Sequence, residues 1–172
     1  MQHVVSALVE NRAGTLSRVS GLFSRRGFNI DSLTVGETDD PSVSRMTIAV
    51  RGEENTLEQI VKQLGKLVDV IAVRVLDKDS CLRREIILVK IKVNEKTRQA
   101  VLGIAGIFRA RIVDVSPETI TVEATGSLDK LNGLLLLLRP YGILELARTG
   151  MVALERGSKV LSVSDAGCPE EI

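Results

Sequence analysis

The stretch from Asn11 to Ile30 carries side chains whose types and spacing suit the binding of a small charged molecule. Gly14 stands at the predicted start of a helix, where free backbone N–H groups and the positive end of the helix dipole attract anions. A glycine at this point lets a ligand approach the backbone closely. Asn11 and Asn29 flank the stretch with amides that both donate and accept hydrogen bonds. The pattern predicts a site for a small amino acid, held by its charged ends.

The same residues are also typical of an ordinary helix entry, in which asparagine favours a turn and glycine supplies permissive backbone. A strand over 3–9 is predicted before them, because apolar residues fill that run. The helix that follows has apolar residues spaced by three and four: Leu16, Val19, Leu22 and Phe23. Gly27 ends this helix behind two arginines, which suit its negative end. Spacing alone leaves both interpretations open.

The elements around this stretch follow the order of a βαββαβ unit, and the order then repeats. In the first unit we predict further strands over 30–37, 43–51 and 68–75, with a second helix between Glu53 and Leu67. In the second unit we predict strands over 85–93, 111–115, 119–125 and 143–149, with helices over 96–109 and from Ser127 to Leu138. Such units form a four-stranded antiparallel sheet with both helices on one face. The predicted fold class is α+β, with two consecutive ferredoxin-like βαββαβ units.

The repeat also sets the expected domain organisation. We predict one domain over 1–77, a polar linker over 78–84, a second domain over 85–157 and a flexible tail over 158–172. The first strand is apolar on both sides. The open face or the edge of its sheet is therefore expected to be covered by the other unit or by a second chain, which favours an oligomer.

The helices of the second unit differ from those of the first. Its first helix follows Asn94–Thr97, which offers no glycine, so the amino-acid site is predicted in the first unit only. Gly103 and Gly106 interrupt the helical pattern and are predicted to allow close packing. The run Leu134–Leu138 fits either a broad buried face, which we favour, or a ridge that binds a partner.

Composition excludes several classes of function. Aromatic residues make up only 2% of the chain and the net charge is +1, with no basic stripe for a nucleic acid or an anionic membrane. No apolar run approaches the ~20 residues that span a bilayer. Cys81 and Cys168 stand alone, which indicates a reducing compartment. With no N-terminal signal pattern, we expect a cytoplasmic protein.

Residues of catalytic or metal-binding type do not form a motif. His3, the single histidine, is expected to be structural. Asp39 and Asp40 are expected to lie in a solvated turn, since two adjacent carboxylates do not complete a metal's coordination shell. Motifs of zinc proteases, P-loop proteins, hydrolases and dinucleotide-binding proteins are all missing from the sequence. We expect no catalytic residues, no metal and no cofactor in this chain.

Five segments resemble one known family. They are LVENRAGTLSRVSGLFSRRGFNIDSLTVGETDDPSVSRMTI from residue 8, LEQIVKQLGKLVDV from 57, REIILVKIKV from 84, IVDVSP from 112 and ARTG-x-x-AL-x-RG from 147. This pattern is similar to the small regulatory subunit of acetohydroxyacid synthase (acetolactate synthase), whose first domain is an ACT domain. The resemblance covers about 155 residues, as expected for a long match rather than a short motif.

The resemblance implies a regulatory protein without chemistry of its own. ACT domains of two chains pair side by side through their second strands, and amino-acid effectors bind at that interface. The implied partners are a second copy of the chain, the catalytic large subunit, and valine or a related branched-chain amino acid. The catalytic subunit is expected to carry thiamine diphosphate, Mg²⁺ and FAD. The small subunit activates it and mediates feedback inhibition in branched-chain amino acid biosynthesis.

The family's effector-contacting positions fall on residues of the opening stretch. Asn11, Gly14, Thr15 and Leu16 belong to one chain, and Asn29 and Ile30 are implied to come from its partner. Backbone N–H groups at the helix start would take the carboxylate, and the asparagine amides would accept from the ammonium.

Three other functions fit parts of the sequence. A free-standing amino-acid sensor would need no second unit. An RNA-binding protein of the same element order would need stacking aromatics, which the first strand and 43–51 lack. A small ferredoxin-like phosphatase would need an anion-binding arginine in the glycine loop, where Arg12 is the only candidate.

Overall fold

A computed structural model describes residues 2–165. They fall into two compact units, one made of 2–82 together with 151–165 and the other of 83–150. Each unit contains a βαββαβ arrangement, which confirms the predicted α+β fold with two ferredoxin-like units.

The first unit is a four-stranded antiparallel sheet in the order β2-β3-β1-β4. Its elements are β1 (Gln2–Glu10), α1 (Thr15–Arg26), β2 (Ile30–Glu37), β3 (Val43–Arg51), α2 (Glu54–Leu64) and β4 (Val70–Val75). Alternating apolar residues of the strands meet the apolar faces of both helices in one core. Its largest fully buried members are Phe23, Met46, Ile48, Ile60 and Leu64.

Helix α1 connects the two ends of this sheet. Gly14 precedes it with φ 90° and Gly27 follows it with φ 68°, conformations that favour glycine. The Gly27 N–H donates to the Ser24 carbonyl, and Arg25 and Arg26 lie in the last turn, beside the negative end of the dipole. The predicted helix ends are therefore where the structure has them.

The second unit has the strand order β6-β7-β5-β8. Its elements are β5 (Cys81–Lys92), α3 (Arg98–Ile107), β6 (Arg111–Val115), β7 (Thr119–Gly126), α4 (Leu128–Leu138), a short 3-10 helix (Arg139–Tyr141) and β8 (Ile143–Arg148). Ser127 caps α4, because its Oγ accepts from the Lys130 N–H at 3.5 Å. Strand and helix residues again form one core, which includes Ile87, Val89, Ile120, Leu131 and Leu138.

Two expectations for these helices are wrong. A Cβ added at Gly103 or Gly106 would meet no atom within 4 Å, so neither glycine serves close packing within the described chain. Leu136 is 64% exposed and Leu137 is 45% exposed, so the leucine run is not one broad buried face. The helical period turns these two residues away from the core that Leu134 and Leu138 enter.

The difference between these leucines is measurable. Leu138→Ala should lower the free energy of unfolding by about 2–5 kcal/mol, because it leaves a cavity in a closed core. Leu136→Ala should change it by less than about 0.5 kcal/mol. Urea denaturation of both full-length variants checks this prediction, and equal losses would contradict the assigned helix face.

The open face of the first sheet is covered by a later part of the same unit. The Met151 N–H donates to Ser32 Oγ at 2.8 Å, and Thr34 Oγ1 donates to the Met151 carbonyl at 2.7 Å. Met151 and Ala153 also pack with the open-face residues Val4, Leu76 and Cys81. The face thus needs neither the other unit nor a second chain to bury its apolar residues.

This covering segment changes the predicted boundaries. Residues 151–157, which we assigned to the second domain, group with the first unit and contain an unpredicted strand, β9 (Val152–Glu155). Residues 81–84 of the predicted linker belong to β5. Four apolar residues without a long period are too short a signal to separate a strand from a loop.

The predicted flexible tail also begins too early. Arg74 donates to Glu155 at 2.7 Å and to the Val160 carbonyl at 2.8 Å, and Leu161 packs near Leu8. A second 3-10 helix (Val163–Asp165) follows, and Asp165 lies 3.4 Å from Arg74. Residues up to 165 are therefore fixed to the first sheet. The rest of the predicted tail, with Cys168, lies outside the described residues.

Candidate functional site

Asn11 lies at the end of β1 and contacts the turn between β2 and β3. Its Nδ2 donates to Glu37 Oε1 at 3.0 Å and to the Pro41 carbonyl at 2.9 Å. Its side chain is exposed. Both amide protons are thereby directed toward the turn, which leaves the amide oxygen facing solvent as an acceptor.

The start of α1 is open in the way that the sequence indicated. Gly14 is the residue before the helix, and no side chain among the described residues caps the first turn. Leu16 is 46% exposed beside it, whereas Thr15 is buried with its Oγ1 unpartnered in the described chain. Backbone N–H groups at this end therefore face a surface that one apolar side chain borders.

Arg18 is a functional candidate that sequence analysis missed. One helical turn after Gly14, its guanidinium lies over the helix start, and Nη1 is 3.4 Å from the position where a Gly14 Cβ would stand. A guanidinium and the helix dipole together attract a carboxylate more strongly than the dipole alone. The spacing of four residues from Gly14 is the local signal that was available.

Asp69 holds this arginine in place. Its carboxylate is almost completely buried at 2% exposure and accepts from Arg18 Nε and, at 3.0 Å, from Arg18 Nη2. Arg12 donates to the same carboxylate from Nε at 2.9 Å and from Nη2 at 2.6 Å. The Asp69 carbonyl also accepts from the Glu10 N–H at 2.8 Å. The glycine loop is thus tied to the residue that precedes β4.

These ion pairs set the protonation of the cluster. Hydrogen bonds from Arg18 and then Arg12 hold the pKa of Asp69 below its ordinary value. Hydrogen bonding to Asp69, with the nearby Glu10 charge, raises the pKa of Arg12. Because Arg12 is already paired with two carboxylates, it is a poor candidate for the phosphate-binding arginine of a phosphatase.

The lowered pKa of Asp69 predicts a pH-dependent stability. A folded-state pKa below the unfolded value means that the contribution is present above about pH 4 and is lost as the pH falls through the folded value. Urea midpoints of the wild-type chain and of Asp69→Asn should therefore differ at neutral pH and converge in acid. A difference that stays constant from about pH 6 to pH 2 would contradict the assigned role.

Asn29 and Ile30 lie at the other end of the sheet. Ile30 pairs with Val50, which pairs with His3 on β1, whereas Asn11 follows Glu10. The seven residues from His3 to Glu10 correspond to about 24 Å of antiparallel strand. Within one chain, the two groups of predicted site residues are therefore not brought together.

The local contacts of this second group are simple. Asn29 is exposed and donates from Nδ2 to Asp31 Oδ1 at 3.1 Å. Ile30 is half-buried and packs against the core of the first unit. Both residues stand where α1 has ended and the edge strand β2 begins, so a neighbouring chain has access to them.

The helix entry of the second unit is closed by its own side chain. Asn94 Oδ1 accepts from the Lys96 N–H at 2.9 Å and from the Thr97 N–H at 3.0 Å. These bonds satisfy donors that remain open at the start of α1. The difference between the two units, predicted from a missing glycine, is thus present in the hydrogen bonding.

The remaining polar residues show no centre for chemistry. His3 Nε2 lies 3.2 Å from the Gly52 carbonyl, and Asp40 accepts from the Ser42 N–H at 2.9 Å. No cluster of three or more His, Cys, Asp or Glu side chains suited to a metal occurs among residues 2–165. Over the same residues, every helix is too short or too polar to cross a membrane.

The fold and the loop at Gly14 together define a class of protein. A βαββαβ unit whose first helix begins at an uncapped glycine, followed by a second such unit without that site, is an ACT domain joined to a ferredoxin-like partner domain. Family models agree with this division. Residues 5–72 match the "AHAS small subunit-like ACT domain", and residues 84–157 match the "Small subunit of acetolactate synthase".

Individual relatives extend the match over nearly the whole chain. The probable acetolactate synthase small subunit of Methanothermobacter thermautotrophicus is 52% identical, over 92% of this chain and 95% of that protein. The isozyme 3 small subunit of Salmonella typhimurium is 51% identical, over 94% and 99%. The crystal structure of the Thermotoga maritima small subunit has a TM-score of 0.87 at 41% identity, over 92% and 99%. The chain therefore belongs to the family of acetolactate synthase small subunits.

Proposed function

We propose that this chain binds valine, or a related branched-chain amino acid, between the ACT domains of two copies and thereby regulates an acetolactate synthase catalytic subunit. The observation that carries the proposal is the distance of about 24 Å between the two groups of site residues. Neither group alone has both a carboxylate site and a second amide. Two copies are needed to complete one pocket.

The edge strand β2 supports a specific way of joining the copies. It runs parallel to β1, so its Ile30 end is far from Asn11 and its Glu37 end is beside Asn11. A two-fold axis through the middle of β2 pairs the strand antiparallel with its copy. Ile30 of each copy then lies near Asn11 of the other, which forms two equivalent pockets.

The proposed pocket suits a small apolar amino acid. The carboxylate binds at the N–H groups after Gly14 and at the Arg18 guanidinium. The ammonium is accepted by amide oxygens of Asn11 and the partner's asparagine. Leu16 and Ile30 border the side chain, and one methylene more or less changes its binding by only about 1–3 kcal/mol. Valine, leucine and isoleucine are expected to bind with graded affinities.

Regulation follows from the shared pocket. An effector that contacts both copies stabilises one arrangement of the dimer, and it inhibits only if the catalytic subunit prefers the other arrangement. Thiamine diphosphate, Mg²⁺ and FAD are assigned to that catalytic subunit, and the complex is placed in the cytoplasm. In this scheme the small chain has no reacting groups of its own.

Activity of a catalytic subunit, with and without this chain over a valine series, tests the proposal. We expect the chain to raise the activity and valine to lower it again. A free-standing sensor would bind valine in calorimetry and leave the activity unchanged at every valine concentration. That result would reject the regulatory function while preserving the amino-acid site.

A further inference from the structure

A cavity of about 590 Å³ lies on the first unit, on the sheet face opposite its helices and away from Gly14. The ends of β1 and β3, the turn after β2 and the covering segment enclose it. Its walls combine apolar and charged side chains, namely Leu8, Val43, Leu161 and Val163 with Arg45, Asp39 and Asp40. A volume of this size lies within the range of small-molecule sites.

Arg45 is the residue that indicates a missing ligand. Its Nε is buried and has no hydrogen-bond partner among the described residues, and its Nη2 makes one long bond of 3.5 Å to the Ala153 carbonyl. Burial lowers the pKa of Arg45, an effect that the nearby Glu155 charge opposes. Buried charged donors are normally satisfied, so an acceptor at this Nε would remove a standing cost.

Carboxylates at the mouth of the cavity limit what that acceptor is. Asp39, Asp40 and Glu37 line the same cavity as the single guanidinium. They would repel a dianion, whereas a plain cation would leave Arg45 without its acceptor. A molecule with one carboxylate and one ammonium satisfies both charges. Leu8 and Leu161 provide the apolar surface for the remainder of such a molecule.

We propose that this cavity is a second ligand site, which binds the zwitterion of an apolar α-amino acid. The carboxylate accepts from Arg45, the ammonium lies toward Asp39, and the side chain packs on Leu8 and Leu161. The site is separate from the pocket at Gly14, since it lies on the other face of the sheet and is built from one copy. Its occupation does not require the dimer.

The test is a titration of the full chain with L-leucine, followed by the NMR signal of the Arg45 side-chain Nε–H. Wild-type and Gly14→Asp chains should both show a saturable shift of this signal. Isoamylamine lacks the carboxylate and 4-methylpentanoate lacks the ammonium, so each should bind at least about tenfold more weakly. A matched pair of variants follows: Arg45→Gln should remove leucine binding in the Gly14→Asp chain.

Arg51→Gln is the control, because Arg51 lies on the same strand but is exposed and paired with Asp31. It should leave the titration unchanged. The proposal is overturned if the Arg45 signal does not move, if isoamylamine binds as well as leucine, or if binding appears only after removal of residues 166–172. The pocket at Gly14 is judged separately, by whether Gly14→Asp loses valine binding, because the Arg45 signal reports on the cavity alone.

Discussion

Replacement of Gly14 by aspartate is expected to abolish the heat of valine binding in titration calorimetry on the full chain. The new side chain would point at Arg18, whose Nη1 is 3.4 Å from the position of the added Cβ. Its carboxylate would thus occupy the guanidinium that we assign to the ligand, and would repel the ligand's own carboxylate. At φ 90° the substitution also strains the backbone, so its effect needs a control.

Gly14→Ala is the matched control, since it carries the same backbone strain without the charge. The Ala methyl group fits at ordinary contact distance from Arg18, so binding should stay within about tenfold of the wild-type value. Valine binding that survives Gly14→Asp would show that the site lies elsewhere. Equal loss in both variants would assign the effect to strain rather than to charge.

A mixture of Asn11→Ala and Asn29→Ala chains, unfolded and refolded together, is expected to regain about a quarter of the wild-type valine sites. Each variant alone should have none, because every pocket takes one asparagine from each copy. Random pairing makes about half of the dimers mixed, and each mixed dimer has one of its two pockets intact. Calorimetric stoichiometry per chain measures the recovery.

The outcome discriminates between a shared pocket and a pocket within one chain. If a single chain supplied both asparagines, the mixture would bind as little as the separate variants. The separation of about 24 Å between the two residues already argues against that arrangement. A mixture that contains either variant with wild-type chain serves as the reference for refolding yield.

Asp69 gives the glycine loop a support that is distant in sequence. Its side chain joins Arg12 and Arg18, and its carbonyl accepts from the Glu10 N–H. The loop that we assign to the ligand therefore responds to any movement of the residue that starts β4. The open helix entry and its anchored arginine act as one preorganised group.

Elements with a strong local pattern could be predicted closely. The bounds of β2, β3 and β6 agree with the alternation of their side chains, and Ser127 caps α4 as expected. Elements that depend on distant contacts could not. β9 has four residues and owes its place to the open face of a sheet more than seventy positions earlier, and no local period records such contacts.

The amino-acid sequence by itself determined the repeated βαββαβ order, the open helix entry at Gly14 and its absence from the second unit. Apolar periodicity and glycine act over a few residues, so those properties are local. Only the tertiary structure decided that Asp69 orients Arg18, that residues 151–163 cover the first sheet, and that Asn11 and Asn29 lie at opposite ends of it. Strand register and the burial of one segment by another join residues far apart in the chain, and a linear pattern carries no record of that pairing.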